Sequence, residues 1–314
     1  MRVLAGLLLT GAIFASAQSA REPQANAALQ AGEADKALAL LSGNGSAQAD
    51  NLRCRVFYAL EQWDRAVSEC ERAVKLDSQN SGYHMWLARA VGEKASRASF
   101  LSAYGLGKRV RTEFEEAARL DPHNAEALAD LGEFYYSAPS VIGGGLDKAE
   151  GVAAQLSGFD PVRAHQLRAR IAEERKDYGT AEREWKQALA ANPHSALGWM
   201  ELAGFYRRRQ RWAEMESAVR SGDNAAARDK RAGVAFFNGA SSLIQCKQNP
   251  ALAAKLLEEY LAASTKTEEA PAFEAHVRLA RLNDQLGQPA AASRERAAAL
   301  ALAHDYKPAQ DGKH

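Results

Sequence analysis

Histidine, cysteine and carboxylate side chains are the groups of this chain that could bind a metal ion or carry out acid–base chemistry. The sequence has seven histidines and three cysteines among 314 residues. They form no His-Glu-x-x-His motif and no cluster with the spacing of a zinc site. No Gly-x-Ser-x-Gly nucleophile elbow is present, and Glu113, Glu115 and Glu116 are typical of a solvated helix face. The sequence therefore predicts no metal, no cofactor and no catalytic residue, and it favours a non-enzymatic protein.

Cys54 and Cys70 are 16 residues apart and are predicted on opposite helices of one hairpin. Outside the cytoplasm they could form a disulfide bond, adding up to about 3 kcal/mol of stability by the loop-entropy estimate. The alternative is that both are buried thiols that pack as small apolar side chains. Both alternatives stay open from the sequence, and three cysteines are too few for a disulfide framework.

Glycine-rich and arginine-rich segments are the next candidates for chemistry, with phosphate or nucleic acid as the ligand. Residues 105–108 and 143–145 lack the G-x-x-x-x-G-K-[ST] spacing and follow no strand, which argues against nucleotide binding. The densest basic run, residues 207–212, is interleaved with Tyr206 and Trp212, but both aromatics fall at core positions. The arginines then lie at the C-terminal end of a helix, where their positive charge complements the helix dipole. Because the formal net charge is only +1, we expect no nucleic-acid partner.

The first 17 residues have the three parts of a secretory signal peptide. A positive start, Met1-Arg2, precedes an apolar core at residues 3–14, and Ala15-Ser16-Ala17 offers a small-x-small cleavage site. The apolar core is too short to span a bilayer, and no other segment has the roughly 18 apolar residues that a membrane helix needs. We expect cleavage after Ala17, export across the inner membrane to a bacterial periplasm, and no integral membrane segment afterwards. An uncleaved anchor is the alternative.

The remaining chain repeats a helical pattern with a period of about 34 residues. Its units end at turns that carry Asp or Asn, three of them followed by proline: Asp77-Ser78, Asp121-Pro122, Asp160-Pro161 and Asn192-Pro193. Proline cannot continue a helix and disfavours helical geometry in the preceding residue, so these pairs mark the ends of hairpins. The turns are 44, 39 and 32 residues apart, which corresponds to insertions of 10 and 5 and a deletion of 2. The apolar period is helical throughout, so the predicted fold class is all-α.

These residues resemble tetratricopeptide repeats (TPR), whose unit is two antiparallel helices with small residues at their crossing. The clearest unit carries Leu128, Leu131-Gly132 and Tyr135 in its first helix, and Ala149 and Leu156 in its second. The resemblance covers most of residues 24–303. It implies an α-α superhelix, a right-handed solenoid of about seven to eight hairpins.

The two enlarged repeats, around residues 81–161, are also similar to those of the regulator of microtubule dynamics family. They are more similar to exported bacterial repeat proteins of undefined role, notably in Ala138-Pro139 followed by three glycines. A microtubule role does not transfer to a chain with a bacterial-looking signal peptide.

The predicted domain order follows from this phasing. After the signal peptide, residues 18–222 form the superhelix, residues 223–304 form divergent hairpins and a cap, and residues 305–314 form a disordered polar tail. Residues 221–233 break the pattern and are predicted to be a flexible joint. His84, His165 and His276 fall at one equivalent hairpin position, and we expect packing there rather than a metal.

The resemblance implies a binding groove lined by the first helices of the units. Its candidate residues are Arg55, Tyr58, Arg89, Tyr136, Arg170, Arg207 and Arg208. The arginines would favour an acidic or carboxylate-bearing segment. The alternative is that they are ordinary solvated charges.

The two insertions, residues 93–108 and 137–145, provide a second candidate site. We expect the first to extend a helix that breaks at residues 104–107, and the second to be a loop, because it is rich in proline and glycine. Equivalent turns line one edge of a stack, so the insertions should be neighbours. The hypothesis is a composite binding patch of Phe100, Leu101, Tyr104, Val141 and Ile142. The alternative is that these residues only seal a widened hairpin.

The function that the sequence favours is an exported, non-enzymatic scaffold that binds a protein or peptide through its groove, its inserted loops, or both. One alternative is an accessory subunit of an envelope assembly or secretion complex, contacted through the repeat ends. Another is an enzyme that uses the inserted loops as a lid. Homo-oligomers could form through the terminal repeats.

Overall fold

Residues 21–192, 195–228 and 232–311 are described by the computed structural model of the chain, so the predicted signal peptide and Pro193 lie outside the description. Within these ranges there are seventeen α-helices, one 3-10 turn and no β-strand. In chain order they are α1 (Arg21–Gln30), α2 (Ala34–Leu40), α3 (Ala47–Ala59), α4 (Trp63–Leu76), α5 (Ser81–Ser96), α6 (Phe100–Leu120), α7 (Ala125–Ser137), the 3-10 turn (Ser140–Ile142), α8 (Leu146–Leu156), α9 (Pro161–Glu174), α10 (Tyr178–Ala191), α11 (Ala196–Arg208), α12 (Trp212–Ala226), α13 (Gly233–Gln245), α14 (Pro250–Ala262), α15 (Ala272–Gln285), α16 (Pro289–Leu302) and α17 (Lys307–Gln310).

Consecutive helices from α1 to α16 pack as eight antiparallel hairpins, which confirms the predicted α-α superhelix. Side chains at or just after the predicted turns cap the helices that follow. The carboxylate of Asp160 accepts a hydrogen bond from the Arg163 amide at 3.0 Å, and Asn124 does the same for Ala127 at 3.0 Å. These side chains satisfy amides that a helix start leaves without a partner.

Small residues allow the helices to approach closely at their crossings. Gly132 of α7 lies against Leu167 of α9, and a Cβ atom at position 132 would lie 2.4 Å from Leu167 Cδ2. Cys54 of α3 and Cys70 of α4 are both fully buried at such a crossing. They form a disulfide bond, with their Cα atoms 5.2 Å apart, so the bridged alternative is the one that the structure contains.

The three histidines do occupy one equivalent position, and each contacts a glutamate of the second helix in its hairpin. The Nδ1–Oε2 distances are 2.7 Å for His165–Glu184 and 2.6 Å for His276–Glu295, each pair being 19 residues apart. His84 and Glu113 are also 2.6 Å apart but are separated by 29 residues. The difference of ten equals the predicted insertion in that unit.

The two ends of the superhelix meet. The Asp35 carboxylate of α2 accepts a hydrogen bond from the His304 amide at 2.9 Å. Tyr306 packs on Phe273, with ring centroids 4.7 Å apart, and both side chains belong to the core that contains α1 and α3. At the same seam, Gly32 touches the backbone of Ala272, where a Cβ atom would lie 2.3 Å from the amide nitrogen.

Two predicted boundaries are wrong for the described residues. The supposed joint at residues 221–233 is helical at its start, because α12 continues to Ala226 and buries that residue. The supposed tail from Asp305 is ordered up to residue 311, because Tyr306 is 2% exposed and Ala309 is fully buried against the N-terminal core. The terminal hairpins proposed as an oligomer contact thus have an intramolecular partner.

Candidate functional site

An apolar cleft of about 520 Å³ opens between α5, α6, α7 and the 3-10 turn. Its walls come from both insertions, which confirms that the inserted segments are neighbours. Four of the five patch residues, Phe100, Tyr104, Val141 and Ile142, line the cleft together with Val110, Phe134 and small residues of α5 and α6. The fifth, Leu101, lies beside Phe100 and is 85% exposed.

The first insertion extends α5, as predicted, to 16 residues and also lengthens α6 to 21, but the break lies at residues 97–99, so its predicted position at 104–107 is wrong. The chain leaves α5 after Ser96 and enters α6 at Phe100, and α6 then runs for 21 residues through Gly105 and Gly107. Glycine costs an exposed helix about 1 kcal/mol relative to alanine. Here Gly107 gives room to Ile142, because a Cβ atom would lie 2.8 Å from Ile142 Cδ1.

The second insertion is a loop, as predicted, and its three glycines shape it. Gly143 has a φ of +104°, and the Gly145 amide donates to the Tyr135 carbonyl at 2.8 Å. Gly144 lies against Ala138, so that a Cβ atom would lie 1.8 Å from its carbonyl oxygen. This tight path brings Val141 and Ile142 back over α6 and leaves Val141 66% exposed at the cleft mouth.

The cleft is open at one end, where Phe100 is 88% exposed. Ile142 packs on α6, whereas Phe100 and Leu101 do not seal the hairpin. Two lysine side chains lie close to residues at the opening. Lys108 Nζ lies 4.4 Å from the centre of the Tyr104 ring, and Lys148 Nζ donates to the Gly143 carbonyl at 2.9 Å.

Three of the seven predicted groove residues form a second cluster around Trp86 of α5. The guanidinium groups of Arg55 and Arg89 lie 5.4 and 4.7 Å from the Trp86 ring, and Tyr58 packs edge-on against it at 5.5 Å. Burial raises the pKa of Tyr58, reinforced by Glu93. Arg89 Nε donates to Asp130 at 2.6 Å, and burial raises the pKa of that carboxyl in spite of the bond.

Farther along the groove, two of the three remaining arginines also meet a carboxylate or a phenol of the chain itself. Arg170 Nε donates to the Tyr136 hydroxyl at 3.1 Å, and Arg208 forms a two-pronged pair with Glu173 at 2.7 and 2.8 Å. Among the described residues, Arg207 has no such partner. Desolvation and then the nearby Arg208 charge lower the pKa of Arg207. Most groove arginines are therefore neither solvated nor free.

Other kinds of site have no support in the described part of the chain. No group of three or more His, Cys, Asp or Glu side chains there is arranged to hold a metal ion. None of the described helices combines the length and apolar character that crossing a membrane requires.

Residues 167–218 match the tetratricopeptide repeat family model. This match lies within α9–α12, where the helix pairs and the small crossing residues are regular. This segment of the chain therefore carries tetratricopeptide repeats, and the described helices have the fold of that family.

Solved structures of TPR proteins resemble this chain in fold. Yeast Tom70 aligns with a TM-score of 0.54 at 14% identity, over 89% of this chain and 58% of that one. A thermophilic TPR protein of Thermus thermophilus has a TM-score of 0.46 at 22% identity, over 63% and 100% of the two chains. PilW, a widely conserved type IV pilus biogenesis factor, has a TM-score of 0.40 at 14% identity, over 84% and 97%. Among curated proteins none matches the chain in sequence, and the likeness to regulators of microtubule dynamics is not supported.

The sequence pattern identified the candidate groove arginines but not their contacts with carboxylates and a phenol. The repeat period could have identified two of these partners. Tyr136 and Arg170 are 34 residues apart, and Glu173 and Arg208 are 35 apart, so each pair joins the first helices of adjacent units at a separation close to the repeat length. The partner of Arg55, Glu268, is 213 residues away and follows no such period.

Proposed function

We propose that this protein is an exported scaffold, without enzymatic activity, that binds an amphipathic segment of a partner protein in the apolar cleft. One observation carries the proposal: Phe100 and Leu101 are 88% and 85% exposed beside a cleft that their own chain does not fill. Large apolar side chains placed next to an open apolar cleft are characteristic of protein interaction sites.

The size and surroundings of the cleft favour a helical partner with an acidic polar face. A volume of about 520 Å³ accommodates a few apolar side chains, and helices that lie in grooves present such anchors on one face. Lys108 and Lys148 lie near the opening, so acidic residues beside the anchors would be attracted. The cleft lies apart from the concave groove, where internal carboxylates already pair most of the arginines.

Export is supported by the signal-peptide pattern of residues 1–17 and by the disulfide between Cys54 and Cys70. Disulfides persist in oxidising compartments such as the bacterial periplasm and are rare in the cytosol. Intact-mass measurement of the protein from osmotic-shock fluid should show loss of residues 1–17 and the mass of one disulfide. Recovery of the uncleaved chain in the cytosol would contradict export without affecting the cleft proposal.

Binding can be tested with a defined probe, an 18-residue helical peptide with leucines on one face and glutamates on the other. We expect the double change Phe100→Ser and Leu101→Ser to weaken its binding by roughly tenfold or more in calorimetry, since two apolar anchors are lost. The matched control is Leu76→Ser, a leucine of α4 that is 58% exposed and does not line the cleft. Equal binding by all three proteins, or equal binding of a peptide with lysines in place of glutamates, would contradict the proposal.

A further inference from the structure

The loop between α14 and α15, residues 263–271, approaches the concave groove and places an acidic side chain on one of its arginines. The carboxylate of Glu268 accepts hydrogen bonds from Arg55, with Nε at 2.8 Å, and from Gln30 Nε2 at 2.9 Å. The Glu268 amide donates in turn to Gln30 Oε1 at 3.3 Å. Gln30 thus recognises both the backbone and the side chain of the loop.

The side chains that hold Glu268 come from α1 and α3 and are themselves supported by neighbouring groups. Arg55 of α3 also donates to Asn26 of α1 at 3.2 Å and lies near the Trp86 ring of α5. The side chains of Arg55 and Glu268 are only 18% and 12% exposed. Arginine with a carboxylate in this two-pronged arrangement is a strong and directional interaction. Arg55 is one of the groove arginines for which the sequence predicts an acidic binding partner.

The loop residues next to Glu268 are less well satisfied by the surrounding protein than Glu268 is. Thr267 Oγ1 is buried without a hydrogen-bond partner among the described residues, and a group left in this way is costly. Glu269 is solvent-accessible and forms no ion pair in the described part of the chain. The surrounding protein displaces water and raises the pKa of that carboxyl, although Arg89 opposes the effect. Tyr260 holds the end of the loop, because its hydroxyl donates to the Ala270 carbonyl and accepts a long hydrogen bond of 3.4 Å from the Thr267 amide.

We propose that residues 264–269 are an internal pseudoligand, and that the site of Arg55, Gln30 and Asn26 binds an extended acidic segment of a partner in its place. The partner segment carries two consecutive acidic residues, as Glu268-Glu269 does. Its first carboxylate replaces Glu268 on Arg55, and its backbone amide is recognised by Gln30. In the free chain the loop keeps this site closed. The proposal is independent of the apolar cleft and shares no residue with it.

A labelled peptide with the sequence of residues 264–271, Ser-Thr-Lys-Thr-Glu-Glu-Ala-Pro, is the probe for this site. We expect the full-length variant Glu268→Gln to bind it roughly tenfold more tightly than the parent chain in fluorescence anisotropy, because the loop no longer competes as an anion. Adding Arg55→Gln to that variant should abolish binding, and a peptide with glutamines at both acidic positions should not bind. The matched control is Glu258→Gln, an exposed glutamate of α14, which should behave as the parent.

If Glu268→Gln, Glu258→Gln and the parent bind the peptide equally, the proposal is overturned and the loop has only a structural role. Binding that survives Arg55→Gln would overturn it as well. Hydrogen exchange measured on the parent chain provides a test that does not depend on how the variants fold. In the parent chain, excess peptide should accelerate exchange of the backbone amides at residues 264–269, and unchanged exchange at saturating peptide would contradict displacement of the loop. If the helical peptide fails to bind the apolar cleft, the binding result for the Arg55 site is unaffected.

Discussion

His84 shows how a single side chain is tuned by the hairpin around it. Its Nδ1 lies 2.6 Å from Glu113 Oε2 and its Nε2 lies 3.1 Å from the Ser78 carbonyl. Both partners are acceptors, whereas a neutral imidazole has a single N–H donor, so only the protonated ring satisfies both. The hydrogen bond to Glu113 therefore raises the pKa of His84, although burial opposes it.

The stability that this histidine contributes should depend on pH. Because the pKa of His84 is higher in the folded chain, its contribution is complete below the unfolded value of about 6.5 and is lost as pH rises through the folded pKa. We expect His84→Gln to cost about 1 kcal/mol of unfolding free energy at pH 5.5 and less at pH 8.5. Urea unfolding at both pH values, with NMR titration of the ring, measures this. A cost that does not change with pH would contradict it.

At the scale of elements, the sequence predicted the regular helices well and the irregular ones less well. Capping residues and period-3.6 patterns are local signals, so turns such as Asp121-Pro122 lie where expected. The start of α6 was not predicted because Gly105 and Gly107 are poor helix formers, and only the structure shows that Gly107 makes room for Ile142. The patch residues of the cleft could be predicted because insertion lengths are visible in the sequence, whereas its open shape depends on the loop backbone.

The loop that carries Val141 and Ile142 depends on Gly144. We expect Gly144→Ala to destabilise the protein by about 2 kcal/mol and to displace the loop, because the new methyl group would collide with the Ala138 carbonyl. Gly145→Ala is the matched control, since its Cβ atom meets nothing closer than 3.9 Å, and it should change stability by less than about 0.5 kcal/mol. Thermal unfolding of both variants compares them. Equal stability would show that the loop backbone is not held as described.

At the scale of the whole molecule, closure of the superhelix was not predictable from the repeat pattern. Each unit specifies only its packing on the next, and small rotations between units accumulate along a solenoid. Whether the ends meet after eight hairpins depends on the total of these rotations. The insertions in two units also change that total. The polar composition of residues 305–311 suggested a tail, but Tyr306 and Ala309 supply the contacts that join the last hairpin to the first two. The groove carboxylate Glu268 reaches Arg55 across this seam.

Tyr306 should be the residue on which closure depends most. It is 2% exposed, packs on Phe273 and donates to Glu61 of the second hairpin at 3.3 Å. We expect Tyr306→Ala to lower the unfolding free energy by about 3 kcal/mol and to increase the radius of gyration in small-angle X-ray scattering as the ends separate. Tyr306→Phe retains the ring and loses only the long hydrogen bond, so it should cost less than about 1 kcal/mol and stay closed. If the alanine variant scatters and unfolds like the phenylalanine variant, the seam is held by other contacts. If both variants open, the Glu61 bond rather than ring packing holds the ends together.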